Sequence, residues 1–167
     1  MIADSPARLG AALPPLTFST MREENLESVL EIERSSFPRP WSRDHFLEEL
    51  RLPFSKILLA WSKRQDAFTL VGYICRWLTA GELHVLNVTV HPEWRCRSIG
   101  RRLMEEVLIE ARGAGARRAL LEVRRRNLPA IVLYERAGFR NVGMRPNYYG
   151  PGQDALLMEL ELGRGGA

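Results

Sequence analysis

The spacing of apolar residues predicts two helices and four strands in the first half of the chain. Apolar side chains recur at helical intervals over 23–34. Ser42 is a suitable N-cap for a second helix over 43–50. Alternating or continuous apolar runs predict strands over 16–21, 56–61, 68–78 and 82–90. The turns at 65–66 and 80–81 are short, so the last three of these strands are expected to form an antiparallel unit.

The second half of the chain predicts strands that alternate with helices. A helix over 99–111 separates the strand 82–90 from a short apolar strand over 119–123, which indicates a parallel pair joined by a crossover. A second helix over 129–137 begins with a proline and stops at Gly138. Strands over 139–144 and 155–162 complete the sheet. The predicted class is α/β (α+β mixed), with a mixed, mostly antiparallel central sheet of about seven strands and helices on both faces.

Length and composition indicate one globular domain. Of the 167 residues, 46% are hydrophobic and 26% are charged, which is the globular range. We expect a folded domain over 16–162, with a flexible N-terminal tail at 1–15 and a C-terminal tail at 163–167. The two cysteines, Cys75 and Cys96, make no disulfide framework, and the histidines do not cluster as metal ligands. No apolar run approaches the roughly 18 residues of a membrane span and no signal peptide is evident, so a cytoplasmic protein is expected.

A basic turn from Arg95 to Gly100 is the first candidate for function. Of the 24 basic residues 22 are arginine, and the net charge is +4. The turn opens the predicted helix 99–111, and a helix N-terminus binds phosphate through free N–H groups and its positive dipole end. Arg95, Arg97, Arg101 and Arg102 would oppose that dipole unless an anion were bound. Gly100 would allow the backbone to approach the anion closely.

The sequence of this turn excludes two common phosphate-binding classes. It lacks the Gly-Lys-Ser/Thr ending of a Walker loop and is not a dinucleotide GxGxxG motif. Arg95-x-x-Ser98-x-Gly100 instead resembles the Gln/Arg-x-x-Gly-x-Gly/Ala motif of GNAT N-acetyltransferases. Further segments, at 37–42, 86–90, 121–124, 130–135 together with Asn127, 138–139 and 145–149, resemble the bacterial RimI type of that family. That type acetylates the N-terminal alanine of a small-subunit ribosomal protein, and the resemblance covers about 16–162.

The resemblance implies acetyl-CoA as the acetyl donor, no metal, and a role for each matching residue. The pantetheine arm and thioester would contact the backbone of Val88, Thr89 and Val90, and Asn127 would bind further along the arm. The pyrophosphate would be held by Cys96, Arg97, Ser98, Ile99, Gly100 and Arg101. Glu122 would be the general base and Tyr134 the general acid. Trp41, Tyr148 and Tyr149 would contact the acceptor substrate.

These roles agree with the chemistry of acyl transfer, and each has a structural alternative. An α-amine must lose a proton before it attacks a thioester, and a carboxylate such as Glu122 can accept that proton. The leaving thiolate needs a proton that Tyr134 can supply. Alternatively, Glu122 pairs with a nearby arginine, and Tyr134 is a core residue with a satisfied hydroxyl. Asn127 could be a helix cap, which is compatible with a second role. Trp41 could be core, and Tyr148 and Tyr149 could pack a loop.

Four residues depart from the family pattern. Ser98 stands at a glycine position, where its hydroxyl could bond phosphate or its Cβ could crowd it. Arg126 replaces a small residue before Asn127, and His84 stands where an acidic or small residue is common. Arg39 lengthens the Phe-Pro-Trp-Ser type of segment, which bears on substrate preference.

The leading hypothesis is transfer of acetyl to the N-terminal alanine of a ribosomal protein. The expected partner is the N-terminal peptide of that protein, with no membrane, no nucleic acid, and a monomer or weak dimer. One alternative is a GNAT enzyme that acetylates a small amine. A different class of alternative is a non-catalytic acyl-CoA- or nucleic-acid-binding module, which the arginine content favours mildly.

Overall fold

A computed structural model describes residues 15–64 and 67–163 of the chain. The strands are β1 (Leu16–Thr20), β2 (Ser55–Arg64), β3 (Ala67–Thr79), β4 (Glu82–Val90), β5 (Arg118–Arg124), β6 (Arg140–Arg145) and β7 (Ala155–Glu161). The helices are α1 (Leu26–Ser36), α2 (Arg43–Arg51), α3 (Ile99–Gly113) and α4 (Leu128–Arg136). The predicted turn at 65–66 and most of both predicted tails lie outside the described residues.

Seven strands form one sheet in the order β1-β2-β3-β4-β5-β7-β6. Only β4 and β5 are parallel, since the long α3 crossover joins them, and every other pair is antiparallel. One cluster of buried side chains lies on the α1/α2 face of the sheet, and a second lies on the α3/α4 face. The predicted fold class is confirmed.

The helix ends follow local sequence signals, with one difference. Ser42 Oγ accepts a hydrogen bond from His45 N at 3.1 Å, so the predicted cap of α2 is present. The α-helix α1 begins at Leu26 rather than Glu23, because 23–25 forms a 3₁₀ turn. Asn25 Oδ1 accepts from Arg22 N at 2.9 Å and closes that turn. The helical spacing was therefore correct, and its first turn is wound more tightly.

The parallel pair at the centre of the sheet separates at its carboxyl end. Pairing between β4 and β5 runs only from Glu82↔Arg118 to Val85↔Leu121. The register between β3 and β4 shifts beside Cys75, which leaves Leu86 as an extra residue in β4. Such a bulge bends its strand and increases the local twist. The ends of β4 and β5 therefore share no ladder.

Candidate active site

The end of β4 offers backbone groups on the side where β5 has separated. Val88, Thr89 and Val90 pair with β3 on one side, and no described strand pairs with them on the other. Backbone N–H and C=O groups on that open side are available to bond a ligand, as at any sheet edge. The structure thus places these three residues where a donor arm can be bound, and their contact with pantetheine stays a prediction.

Gly72 in β3 allows the backbone at the end of β4 to approach closely, and this role was not predicted from the sequence. A Cβ added at Gly72 would lie 2.8 Å from the Thr89 carbonyl oxygen and 3.4 Å from side-chain atoms of Ile99 and Leu103. No ordinary side chain fits at that distance from a backbone atom. The signal was present as a glycine in the middle of an apolar strand, which often marks a close backbone approach.

The turn from His91 to Arg97 is held together by its own arginines. Arg95 Nε donates to the Val90 carbonyl at 3.2 Å, and Arg97 Nη2 donates to the Glu93 carbonyl at 3.3 Å. Among the helix residues, Arg101 pairs with Glu105 at 3.2 Å, and the Arg102 guanidinium lies 5.7 Å from the Phe18 ring centroid. Each of the four arginines therefore has a partner within the protein. Of these partners only Glu105 carries an opposite charge, so the expectation of an anion at this turn stays a prediction.

The backbone of this turn makes a stronger case for anion binding than the charges do. Cys96 and Ser98 have φ of 59° and 57°, and both adjoin residues with negative φ. Alternation of left- and right-handed residues turns successive N–H groups into one anion-binding concavity. Ser98 makes no side-chain cap, so the first N–H groups of α3, at Ile99, Gly100 and Arg101, keep no intrahelical partner.

The same backbone explains why the family prefers glycine at the Ser98 position. In the left-handed conformation a Cβ is sterically unfavourable, and only glycine has none. The family preference therefore reflects backbone conformation, which the sequence alone did not reveal. Gly100 also has a packing role, and its predicted contact with an anion stays a prediction. A Cβ there would lie 3.3 Å from Leu133 Cδ2 and 3.7 Å from Val90 Cγ2, so Gly100 lets α3 pack closely against α4 and β4.

Glu122 lies at the other side of the separation, near the end of β5. Its carboxylate is 27% exposed, and Oε1 lies 2.7 Å from Arg145 Nη1. The Tyr148 hydroxyl also bonds to Glu122, and this bond raises the pKa of Tyr148 above its ordinary value. The arginine pair that sequence reasoning offered as an alternative role is therefore present. Its partner is a β6 residue that the sequence analysis did not assign to the site.

Tyr134 is buried in α4 on the α3/α4 face of the sheet. Burial, and secondarily the nearby Tyr149, raises the pKa of Tyr134 above its ordinary value. Its ring packs edge-on against Phe139 at 6.1 Å between centroids. Within 15–64 and 67–163, its hydroxyl makes no hydrogen bond. Tyr134 is thus a core residue, as one interpretation held, but its hydroxyl is not satisfied by the fold.

Tyr148 and Tyr149 bring Glu122 and Tyr134 into one cluster. Burial and the charge of Glu122 raise the pKa of Tyr149, and Tyr149 in turn contributes to the raised pKa of Tyr134. The two tyrosine rings meet edge to face at 5.0 Å, and the Arg124 guanidinium lies 4.3 Å from the Tyr149 centroid. A cavity of about 610 Å³ adjoins this cluster and is lined by Arg124, Arg125, Arg126, Leu128, Gly152, Gln153 and Asp154.

Asn127 and Trp41 have the structural roles that sequence reasoning left open. Asn127 Oδ1 accepts from Ala130 N at 3.4 Å and caps α4. Trp41 stacks on His45 at 3.9 Å between ring centroids, and it packs in the α1/α2 cluster. That cluster lies on the opposite face from Tyr134. Binding of CoA by Asn127 and of acceptor by Trp41 stays a prediction.

Neither a metal site nor a membrane-crossing helix is evident in the part of the chain that the structure describes. No three His, Cys, Asp or Glu side chains there are grouped as metal ligands, and both cysteines are free thiols. None of the helices at 15–64 and 67–163 has the length and apolar character needed to cross a bilayer.

Comparison with known proteins gives a consistent picture. The model of the acetyltransferase (GNAT) family matches residues 26–139. The [ribosomal protein bS18]-alanine N-acetyltransferase of Salmonella typhimurium is 30% identical over 149 residues, which cover 87% of this chain and 97% of the relative. The N-alpha-acetyltransferase RimI of Mycobacterium tuberculosis is 35% identical over 156 residues, covering 89% and 94%.

The solved structures agree with these sequence relatives. The crystal structure of the ribosomal-protein-S18-alanine N-acetyltransferase from Escherichia coli superposes with a TM-score of 0.80 at 26% identity. The match covers 91% of this chain and 97% of the other.

Proposed function

Because the chain belongs to the GNAT family of acetyl-CoA-dependent N-acetyltransferases, we propose that it acetylates the N-terminal alanine of a ribosomal protein. The observation that carries this proposal is the cluster of Glu122, Tyr134, Tyr148 and Tyr149 beside the open end of β4. The names of the relatives from Salmonella and Escherichia coli support the choice of acceptor. The same acceptor places the enzyme in the cytoplasm.

Glu122 is proposed to receive a proton from the acceptor. An α-amine has a reference pKa of about 7.7–8.0, so much of it is protonated at neutral pH and cannot attack. The partly exposed carboxylate of Glu122 can be reached by such an amine, directly or through one water molecule. Tyr148 and Arg145, which both contact Glu122, orient the carboxylate.

Tyr134 is proposed to protonate the leaving sulfur. As the amine nitrogen forms its bond to the acetyl carbon, the carbon–sulfur bond breaks and the thiolate takes a proton. Burial raises the pKa of Tyr134, so its hydroxyl remains protonated throughout the neutral range. Its proton is not committed to any described group. After transfer, the phenolate regains a proton from solvent, because a buried anion is unfavourable there.

The donor is proposed to bind along the turn and the end of β4. The N–H groups from Cys96 to Arg101 suit the pyrophosphate of acetyl-CoA, since several converge without an intrahelical partner. The open side of β4 supplies N–H and C=O groups for the pantetheine arm. An N–H there would also polarise the thioester carbonyl.

A peptide acceptor fits this site better than a small amine. Tyr148 is 51% exposed although its ring is large and apolar, and exposed aromatic groups commonly contact peptide partners. Small-amine acetylation and the non-catalytic module are alternatives that the following experiment separates.

The experiment is mass spectrometry of ribosomal N-terminal peptides incubated with the protein and acetyl-CoA. One added acetyl group at the α-amine of a peptide beginning with alanine is the expected product. The same peptide with a blocked N-terminus is the control, and it should stay unmodified. Acetylation of polyamines or amino sugars with untouched peptides would support the small-amine enzyme. Affinity for RNA without affinity for acetyl-CoA would support the binding module.

A further inference from the structure

A buried chain of hydrogen bonds runs from α1 to the end of β4. Glu33 is only 1% exposed although it is an acidic residue, and the Tyr73 side chain that it contacts belongs to the apolar α1/α2 cluster. The Tyr73 hydroxyl donates to Glu33 Oε2. Asn87 Nδ2 donates to the Tyr73 oxygen at 3.0 Å, and Thr89 Oγ1 donates to Asn87 Oδ1 at 2.9 Å. The chain therefore ends on a residue of the strand proposed to bind acetyl-CoA.

The second oxygen of Glu33 holds the segment between α1 and α2. Oε1 accepts a hydrogen bond from the backbone N–H of Trp41 at 2.8 Å. The Trp41 ring is stacked on His45 and lies 5.4 Å between centroids from the Phe46 ring. The bond to Glu33 thus holds the Trp41 backbone, and these ring contacts hold its side chain. One carboxylate thus contacts the segment predicted to bind acceptor and, through Tyr73, the strand proposed to bind donor.

The direction of this chain is fixed by Tyr73. Burial, together with the charge of Glu33, raises the pKa of Tyr73, so the hydroxyl stays protonated and donates to the carboxylate. Its oxygen is then free to accept from Asn87. A buried carboxylate is costly unless both oxygens are bonded, and apolar residues would fill the same space at lower cost. Glu33 is nevertheless present, and its two oxygens accept from two separate elements: Oε1 from the Trp41 N–H and Oε2 from the Tyr73 hydroxyl.

We propose that Glu33 is a positioning residue that fixes the Trp41 segment and β4 relative to each other. This inference rests on the proposed function, in which β4 contacts the donor, and on the prediction from the family resemblance that Trp41 contacts the acceptor. Glu33 itself touches neither substrate. Its effect on transfer passes through the Trp41 backbone on one side and through Tyr73, Asn87 and Thr89 on the other.

Glu33→Gln and Tyr73→Phe test the two directions separately. In Glu33→Gln the amide oxygen can still accept from the Trp41 N–H, and the NH₂ then faces the Tyr73 hydroxyl. The hydroxyl thereby loses the carboxylate to which it donates, and the direction of the chain toward β4 is disturbed. We expect kcat/KM for an N-terminal alanine peptide to fall about tenfold, the scale of one buried hydrogen bond. Tyr73→Phe cuts the link to β4 and leaves Glu33 Oε2 without its hydroxyl donor, but it keeps the bond from the Trp41 N–H to Oε1. We expect its Kd for acetyl-CoA to rise about threefold to tenfold, with KM for the peptide unchanged.

Glu110→Gln is the matched control for loss of a carboxylate with two partners. Glu110 bonds Lys56 at 2.9 Å and Arg76 at 2.8 Å, and it contacts neither the Trp41 segment nor the end of β4. We expect this variant to lower Tm and to keep the kinetic constants of the wild type. If Glu33→Gln behaves in the same way, Glu33 is only a structural residue and the proposal is overturned.

Two further outcomes keep the test decisive. Should Glu33→Gln fail to fold, Tyr73→Phe decides, because it preserves the ring that packs on Phe46. A wild-type Kd for acetyl-CoA in that variant, measured by calorimetry, overturns the proposal. Should the wild type acetylate no peptide, the proposed function fails. The Kd comparison, which needs no acceptor, still tests the link from Glu33 to β4.

Discussion

Replacing Ser98 with glycine should stabilise the protein, because Ser98 is held in a left-handed conformation at φ 57°. That conformation costs a residue with a Cβ about 1–2 kcal/mol. Glycine gives back about 0.5–1 kcal/mol through its greater loss of freedom on folding. The expected net gain is about 0.5–1 kcal/mol, which corresponds to a rise in Tm of about 1–4 °C for a domain of this size.

Thermal unfolding followed by circular dichroism measures this effect. Ser28→Gly is the matched control, because Ser28 is exposed within α1 and glycine weakens a helix interior by roughly 0.5 kcal/mol relative to serine. The two identical substitutions should therefore change Tm in opposite directions. A lowered Tm in Ser98→Gly, similar to that of Ser28→Gly, would refute the argument that the turn is built on left-handed backbone.

A third variant separates the backbone of Ser98 from its hydroxyl. Ser98→Ala keeps the Cβ and the left-handed conformation, and removes only the hydroxyl. If the N–H groups of the turn hold the pyrophosphate, acetyl-CoA should bind Ser98→Ala and Ser98→Gly as tightly as wild type. Weaker binding by about tenfold in both variants would instead assign the hydroxyl a phosphate contact.

Three more predictions concern the donor side and the acid. Gly72→Ala should lower the free energy of unfolding by about 1–3 kcal/mol and weaken acetyl-CoA binding, since the new Cβ meets the backbone of β4 at 2.8 Å. Gly113→Ala, where nothing lies within 4 Å of the new Cβ, should do neither. Asn127→Ala and Ser42→Ala each remove a helix cap and should each cost about 1 kcal/mol, but only Asn127→Ala should also raise the Kd for acetyl-CoA. Finally, burial raises the pKa of Tyr134 above the ordinary tyrosine value of about 10. Tyr134 should therefore stay protonated below that pH, and kcat should show no decline there that is due to its ionisation.

Different results would contradict each of these expectations. Equal Kd values for acetyl-CoA in wild type and Gly72→Ala would show that the end of β4 does not bind the donor. A Kd unchanged in Asn127→Ala would leave that residue with its capping role alone. An alkaline decline of kcat centred near neutral pH, absent from Tyr134→Phe, would contradict the raised pKa of Tyr134.

The helices and strands could be predicted from the sequence because their signals are local. The apolar spacing of α3 and the cap at Ser42 depend on residues within a few positions of each other. The turn from Arg95 to Gly100 could also be placed at a helix start, because the apolar spacing of α3 begins directly after it. The parallel pair followed from the length of the crossover between β4 and β5.

The parts that the sequence could not predict depend on register and on distant partners. The bulge at Leu86 exists only relative to β3, and it decides where β4 separates from β5. The pairing of Glu122 with Arg145 joins residues of β5 and β6, with β7 between these strands in the sheet. The packing role of Gly100 depends on Leu133 in a different helix, so it could not be predicted from the residues around Gly100.

The central claim is that Glu122 and Tyr134 carry out transfer between bound donor and acceptor. The most direct test compares turnover on an N-terminal alanine peptide with the Kd for acetyl-CoA in wild type, Glu122→Gln and Tyr134→Phe. Removal of a positioned acid or base typically costs about 10²–10⁴-fold. We predict a loss of at least about 10²-fold in turnover for each variant, with the wild-type Kd for acetyl-CoA. Wild-type turnover in both variants would contradict the claim.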